Sequence, residues 1–232
     1  MSELNDHIDS VVAYYSDNHH RFQQFQASVE MFFVKHPILN SKPFPIIHSV
    51  KTRIKDPGHL KEKIIRKYKK GKEVTKENLF TEITDLIGFR ILHLYQDQFP
   101  AIHEQILQYI AQGDWTFVES PKAFTWDPES KILFDKLGIE NEVRETFYTS
   151  VHYIVKPNNS NPNPVCCEIQ VRTLFEEIWG EIDHSINYPN QTEYVACKEQ
   201  LRVLSKLVST GTRLADSIIR TLNDYNSKKT AK

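Results

Sequence analysis

The sequence predicts an α+β fold: a mixed β-sheet flanked by helices, with helical extensions at both ends of the chain. Segments 85–95 and 147–157 have the apolar character of strands, and helical segments separate them without strict β-α-β alternation. Segment 166–189 changes its apolar period from two to that of a helix, so a strand runs directly into a helix. The expected parts are an N-terminal helical segment, a central domain and a C-terminal helix with its tail, at 1–40, 41–190 and 191–232.

The N-terminal third is predicted to contain helices around a single strand. Apolar residues recur at helical spacing through residues 7–36, which indicates one or two amphipathic helices. A segment with several prolines then leads into a strand at about 46–53. Asp56 is the predicted N-cap and Pro57 the first residue of a helix that runs to about Lys70.

The middle of the chain combines strand and helix signals. Residues 85–95 form a continuously apolar run, which is typical of a strand buried on both faces. The next segment, from residue 99, has helical spacing and should end at Gly113. Residues 115–120 are predicted as a strand, and residues 121–143 as irregular or partly helical.

A hairpin and two helices complete the prediction. A turn rich in Asn and Pro joins the strand at 147–157 to the strand at 166–172. Thr173 and Glu176 have the spacing of a capping box at the start of the following helix. A long amphipathic helix is predicted for residues 193–226.

Composition excludes several classes of protein. The 232 residues carry a formal net charge of −1, so no overall field attracts the chain to nucleic acid or to a membrane. No apolar run approaches the length of a membrane span, and the N-terminus lacks the features of a signal peptide. Three cysteines give no disulfide framework, so a reducing cytoplasm is the expected compartment. The Gly-rich and Walker motifs of common nucleotide-binding folds are missing.

Basic residues concentrate in one short segment. Residues 51–72 contain ten Lys or Arg and two acidic residues. Arg53 and Lys55 alternate on an extended stretch before the predicted helix, and Lys63 lies about two turns inside it. Cations beside the free N–H groups of a helix start suit a polyphosphate. A solvated helix face explains the same spacing about equally well.

Two carboxylates and an arginine suggest phosphoryl chemistry. Asp85 lies at the start of a strand, where it can hold Mg²⁺ or simply cap a turn. Arg90 lies within the same apolar strand, and a buried guanidinium requires a partner such as a phosphate or a base. Glu168 belongs to a later strand, and it can bind a metal or act as a general base.

Polar residues alternate along two strands that are predicted to pair. Tyr148, Ser150 and His152 are two residues apart from one another, so they are predicted to lie on the same side of the strand. The neighbouring strand repeats the pattern, with Glu168, Gln170 and Arg172. Paired strands with polar residues on the same side form the floor of a site. A polar sheet face open to water is the simpler alternative.

These motifs together resemble the synthetase domain of RelA/SpoT-type alarmone synthetases, especially the small single-domain members. The motifs that carry the resemblance occur in the order of the family across residues 46–188: RIKDPGHLKEK, DLIGFR, YTSVHYIV, EIQVRT and DHSINY. The resemblance implies a nucleotidyltransferase-like fold for residues 41–190. It also implies a GTP/GDP pyrophosphokinase that transfers pyrophosphate from ATP to the ribose 3′-hydroxyl of GDP or GTP and releases AMP.

The resemblance also implies roles for individual residues. Arg53 and Arg90 would enclose the adenine of ATP, Asp85 and Glu168 would bind Mg²⁺, and Glu168 would activate the acceptor hydroxyl. Tyr148 would stack on the acceptor base. The remaining residues assigned to ATP are Lys55 and Lys63, and those assigned to the acceptor are Arg144, His152, Gln170, Arg172 and Glu177.

Two positions depart from the pattern of the family, and they leave the acceptor open. Phe147 replaces the usual glycine before the stacking tyrosine, and Glu177 replaces an asparagine that is common in small members. The main alternative is therefore a toxic relative that modifies the 3′ end of tRNA or makes adenosine-based alarmones. A silent nucleotide-binding regulator is a third interpretation, against which Asp85 and Glu168 argue. The resemblance also suggests a homotetramer.

Overall fold

The computed structural model describes residues 2–143, 146–161, 163–188 and 191–230. Within these residues a six-stranded mixed sheet is flanked by helices, which confirms the predicted α+β class and the helical extensions at both ends. The helices are α1 (Ser2–Asp17), α2 (His19–Lys35), α3 (Pro57–Lys69), α4 (Leu79–Glu82), α5 (Phe99–Gln112), α6 (Pro128–Lys136), α7 (Leu174–Asn187) and α8 (Val195–Thr230). The strands are β1 (Ser49–Ile54), β2 (Ile87–His93), β3 (Trp115–Phe124), β4 (Glu140–Glu142), β5 (Ser150–Pro157) and β6 (Cys167–Thr173).

The strand order across the sheet is β1-β2-β6-β5-β3-β4. Strands β2 and β6 are parallel, as are β3 and β4, and the other neighbouring pairs are antiparallel. The predicted hairpin between β5 and β6 is confirmed. Because β2 and β6 lie side by side, residues that are far apart in the sequence meet at the centre of the sheet.

One face of the sheet packs against the N-terminal helices and α5. Phe33 of α2 lies 6.4 Å from Phe89 of β2, measured between ring centroids. Tyr15 of α1 stacks on Phe22 of α2 at 4.9 Å, so the two helices share one aromatic core. The strands turn alternate residues into this core, which leaves their other residues on the opposite face.

The predicted helix ends agree with the structure. Asp56 accepts hydrogen bonds from the N–H groups of the first turn of α3, and Pro57 is its first residue. Thr173 and Glu176 form the expected capping box at the start of α7. Gly113 follows α5 with a φ of 90°, a left-handed conformation that favours glycine.

Three predicted segments differ from the structure. The strand at 115–120 extends to Phe124, and residues 121–143 also contain α6 and β4. Tyr148 precedes β5 instead of lying within it. Helix α8 covers Val195–Thr230 instead of 193–226, and three of its apolar residues, Leu214, Ile218 and Leu222, are exposed. Helix periodicity gives the apolar side of a helix but not the length over which that side is covered. The division of the chain into three parts, at 1–40, 41–190 and 191–232, stays a prediction.

Helices α7 and α8 lie against each other beyond the sheet. The indole N–H of Trp179 donates to the carbonyl of Leu201 at 3.0 Å. Arg220 of α8 makes two hydrogen bonds to the carboxylate of Asp97, at 2.5 and 2.6 Å.

In the described part of the chain, none of the helices combines the length and the apolar character that crossing a membrane requires.

Buried His93 at the end of β2 predicts a pH-dependent stability. Its side chain is fully buried, and desolvation lowers its pKa from 6.5 to about 4 despite a hydrogen bond to the carbonyl of Tyr95. Between these pH values the unfolded chain binds a proton that the folded chain excludes. The contribution is therefore fully present above pH 6.5 and decreases as the pH falls towards 4, by about 3 kcal/mol in total.

Urea unfolding at a series of pH values measures this effect. In His93→Asn the free energy of unfolding should depend less steeply on pH between 6.5 and 4. In His20→Asn, which removes an exposed histidine, the dependence should match that of the wild type. Equal slopes for wild type and His93→Asn would show that His93 does not stay neutral in the folded state.

Candidate active site

A row of polar residues crosses the face of the sheet opposite the aromatic core. Lys51 of β1 pairs with Arg90 of β2, and Arg90 pairs with Gln170 of β6. Gln170 pairs with His152 of β5, which pairs with Lys122 of β3. Directly paired residues point to the same side of a sheet, so these five side chains share one face.

The adjacent row brings a cation and a carboxylate together across a glycine. Arg53 of β1 pairs with Gly88 of β2, and Gly88 pairs with Glu168 of β6. A Cβ atom at Gly88 would lie 3.3 Å from Nε of Arg53, so the glycine leaves room for the arginine side chain. The residues of both rows that belong to β1, β2 and β6 line a cavity of about 150 Å³.

A larger cavity, of about 800 Å³, opens between the sheet edge and α3. Its lining is strongly basic, and it also contains Asp85 and the stacked rings of His184 and Tyr188. Arg53 and Arg90 line both this cavity and the smaller one. The other basic residues of the larger cavity are Lys55, His59, Lys63, Arg66, Lys67, Lys70 and Lys72.

Asp85 lies between two lysines of the larger cavity. Its carboxylate oxygens are 2.9 Å from Nζ of Lys55 and 2.8 Å from Nζ of Lys63. Burial would raise the pKa of Asp85, but the charges of the two lysines outweigh it and lower the pKa below the ordinary value. Burial in turn lowers the pKa of Lys55, and Asp85 opposes that shift.

Helix α1 contacts the basic side of the site, which the sequence did not indicate. The hydroxyl of Tyr15 donates to the backbone carbonyl of Lys55 at 2.5 Å. Lys61 of α3 forms an ion pair with Asp9 of α1 at 2.6 Å. The N-terminal extension therefore fixes the strand-to-helix connection that carries Lys55. The sequence marks Tyr15 only as an apolar position of a helix.

Glu168 occupies the centre of a hydrogen-bonded chain. Nδ1 of His152 lies 3.2 Å from one oxygen of Glu168, and the amide of Gln170 donates to the other at 3.0 Å. Nε2 of His152 lies 2.9 Å from the hydroxyl of Tyr148. Burial would raise the pKa of Glu168, but the hydrogen bond and charge of His152 outweigh it and lower the pKa. Glu168 is therefore ionised at neutral pH.

Tyr148 and Arg172 form a stacked pair beside His152. The guanidinium of Arg172 lies over the Tyr148 ring, 5.6 Å from its centroid. Desolvation raises the pKa of Tyr148, so its hydroxyl keeps its proton. Phe147 contacts Trp126 edge to face at 5.3 Å. Arg144, the predicted acceptor residue, lies outside the described residues.

Glu177, on the first turn of α7, is the most buried carboxylate of the site, at 2% exposure. It lies 2.7 Å from Nζ of Lys51 and 3.1 Å from Arg90, and it forms an ion pair with Arg172. Burial would raise the pKa of Glu177, but Lys51 and the two arginines lower it. Its assignment to the acceptor base stays a prediction.

The structure places seven of the described members of the predicted site in the lining of the two cavities: Arg53, Lys55, Lys63, Asp85, Arg90, Glu168 and Gln170. The other four line neither cavity and join the site through the contacts described above: Tyr148, His152, Arg172 and Glu177. Within the described part of the chain, no group of three or more His, Cys, Asp or Glu residues is placed to hold a metal ion. Asp85 and Glu168 fit Mg²⁺ through their chemistry, because this ion takes one or two carboxylates and completes its shell with phosphate oxygens and water. Their predicted roles are not tested by this geometry.

Comparison with known families identifies the region that carries the site. A family model described as the region found in RelA / SpoT proteins matches residues 52–193. This match spans more than half of the 232 residues and contains all the predicted site residues. A search of curated protein sequences gave no significant match.

Solved structures share the fold of the chain. Small alarmone synthetase 1 from Bacillus subtilis has a TM-score of 0.67 at 23% identity, over 90% of this chain and 98% of that one. A GTP pyrophosphokinase family protein from Streptococcus pneumoniae gives 0.69 at 18% identity, over 91% and 95%. The B. subtilis protein bound to its product pppGpp gives 0.63 at 23% identity, over 87% and 94%. At these identities the likeness establishes the fold.

Proposed function

Because the chain belongs to the RelA/SpoT family, we propose that it transfers pyrophosphate from ATP to the ribose 3′-hydroxyl of GDP or GTP. The products are AMP and ppGpp or pppGpp. The observation that carries the proposal is the position of the two carboxylates. Asp85 and Glu168 line different cavities, and Arg53 and Arg90 line both. A donor bound in the basic cavity can therefore present its phosphates to an acceptor held beside Glu168.

The donor, ATP, binds in the larger cavity, where the basic side chains of the cavity contact its phosphates. Arg53, Lys55 and Lys63 neutralise the triphosphate, and the N-terminus of α3 adds its dipole. Arg53 and Arg90 enclose the adenine through stacking of their guanidinium planes. Pyrophosphoryl transfer depends mainly on alignment and charge neutralisation, which such fixed cations provide.

The acceptor lies above the polar strands. Tyr148 stacks on its base, and Arg172 supports the Tyr148 ring from behind. The ionised Glu168 accepts the hydrogen bond of the 3′-hydroxyl and receives its proton as the new bond forms. His152 and Gln170 hold the two oxygens of Glu168 in place.

Asp85 and Glu168 would hold Mg²⁺ together with the donor phosphates. The ion would supply charge neutralisation of the transferred group. Cytoplasmic location, which the cysteine usage suggests, and assembly as a homotetramer, which the family resemblance suggests, are further parts of the proposal.

Incubation with γ-labelled ATP and one acceptor at a time tests the proposal. Label should move to GDP or GTP with stoichiometric release of AMP. Transfer to ATP or to deacylated tRNA, with none to GDP or GTP, would identify the alternative acceptors and contradict the guanosine assignment. Formation of ADP, or no transfer to any acceptor, would contradict pyrophosphate transfer itself.

Arg53→Ala is expected to weaken ATP binding by about 10- to 100-fold, because a charge-assisted contact to the nucleotide is lost. The affinity for GDP should change by less than about threefold. Isothermal titration of each nucleotide separately provides the measurement. Arg202→Ala removes an exposed arginine of α8 and should leave both affinities unchanged. Equal losses for ATP and GDP in Arg53→Ala would contradict the donor assignment.

A further inference from the structure

Glu177 connects the two halves of the site through one buried carboxylate. Its partners are Arg90, which lines both cavities, and Arg172, which lies over the Tyr148 ring. Lys51 is the third partner and is half exposed. A single carboxylate that pairs with cations of both subsites makes the state of one subsite depend on the other.

On the donor side, Arg90 is held by two acids of α7. It contacts Glu177 and also Glu181, one helical turn further along. A nucleotide that recruits Arg90 to its base or phosphates has to compete with these carboxylates. Donor binding therefore withdraws one cation from Glu177.

On the acceptor side, Arg172 has little freedom. The residue is 4% exposed and lies against Gly180 of α7, where a Cβ atom would come within 2.8 Å of its Nη1. The position of its guanidinium is therefore set by Glu177, by the Tyr148 ring and by the absence of a side chain at Gly180. A change in the strength of the ion pair between Glu177 and Arg172 therefore changes how Arg172 contacts the Tyr148 ring.

We propose that Glu177 is a positioning residue that couples donor binding to acceptor binding. When the donor takes Arg90, the Glu177 carboxylate is shared by two cations instead of three, and its pair with Arg172 strengthens. Arg172 then fixes the Tyr148 ring for the acceptor base. This inference rests on the proposed function, and it assigns Glu177 a role other than direct contact with the base.

Isothermal titration of GDP with and without a non-hydrolysable ATP analogue and Mg²⁺ measures the coupling. In the wild type the analogue should tighten GDP binding by about fivefold or more, within the usual range of coupling between sites. In Glu177→Gln this gain should fall below about twofold. The analogue alone should bind this variant at least as tightly as the wild type, because Arg90 has lost a competing charge. General structural damage would weaken both nucleotides instead.

Two further variants separate the contacts. Glu181→Gln removes the other acid from Arg90 but no contact with Arg172, so it should preserve the coupling. Gly180→Ala displaces Arg172 without touching the pair of Glu177 and Arg90. It should reduce the coupling while the affinity for the analogue alone stays unchanged, and it replaces Glu177→Gln as the test if that variant does not fold.

The outcomes are distinguishable. Full coupling in Glu177→Gln or in Gly180→Ala, or no coupling in a wild type that binds both nucleotides, overturns the inference and leaves the proposed function standing. Intact coupling in Glu177→Gln with an altered preference between GDP and ADP assigns Glu177 to the acceptor base instead. A wild type that binds neither nucleotide overturns the proposed function and the inference with it.

Discussion

Glu168→Gln is expected to lower the rate of pyrophosphate transfer by about 10³-fold, within the range of a lost general base. ATP binding without divalent cations should change by less than about threefold, because the cations of the larger cavity are untouched. Glutamine has the shape of glutamate and can keep the hydrogen bond to Gln170. It lacks the charge that, in the proposed reaction, would orient the acceptor hydroxyl and accept its proton.

Single-turnover kinetics with saturating ATP and GDP separate this chemical step from binding. Glu119→Gln is the matched control, because it makes the same change at an exposed strand position and should leave the rate unchanged. A rate within about tenfold of the wild type would remove Glu168 from the chemistry.

The pH dependence of the wild type gives a second check on Glu168. Its pKa is lowered, so the carboxylate stays ionised below the ordinary range for glutamate. The acid limb of kcat/KM should therefore lie below that range instead of near neutral pH. A limb near pH 7 would show that another group controls the reaction.

Local signals in the sequence were sufficient for several elements of the fold. The change of period at the start of α7 and the Asp56 cap of α3 depend only on neighbouring residues, and both were predicted correctly. The extent of β3 and the exposure of the far part of α8 depend on which other elements cover them. No local pattern contains that information.

The candidate site shows the same difference between what neighbouring residues predict and what only the tertiary structure provides. The shared parity of Glu168 and Gln170 predicted that they face the same way, but only the strand register placed Arg90 beside Gln170. The contact of Lys51 with Glu177 joins residues 126 positions apart, so it required the tertiary structure. The resemblance to a family supplied the roles, and those roles stay predictions.

Asp85→Asn distinguishes two functions that the structure allows for this carboxylate. In the absence of nucleotide it is the counter-charge of Lys55 and Lys63. In the proposed reaction it would also hold Mg²⁺. These functions predict opposite effects on ATP binding, because a carboxylate competes with phosphate for the lysines but attracts a divalent cation.

ATP should therefore bind to Asp85→Asn at least as tightly as to the wild type when EDTA removes divalent cations. With saturating Mg²⁺ the wild type should bind about tenfold more tightly than the variant, which corresponds to about 1.4 kcal/mol. Turnover of the variant should fall by more than about 100-fold. Isothermal titration under both conditions gives the affinities, and Asp135→Asn, at a half-exposed position of α6, is the matched control.

The decisive observation is that Asp85→Asn binds ATP at least as tightly as the wild type in EDTA but less tightly than the wild type with Mg²⁺. A variant that loses the same affinity for ATP with and without Mg²⁺ would show that Asp85 only orders the lysines.

Thermal stability provides a second measurement, because the variant leaves Lys55 and Lys63 close together without a counter-charge. ATP without divalent cations should then raise the Tm of Asp85→Asn by more than it raises that of the wild type, since the triphosphate restores the missing negative charge.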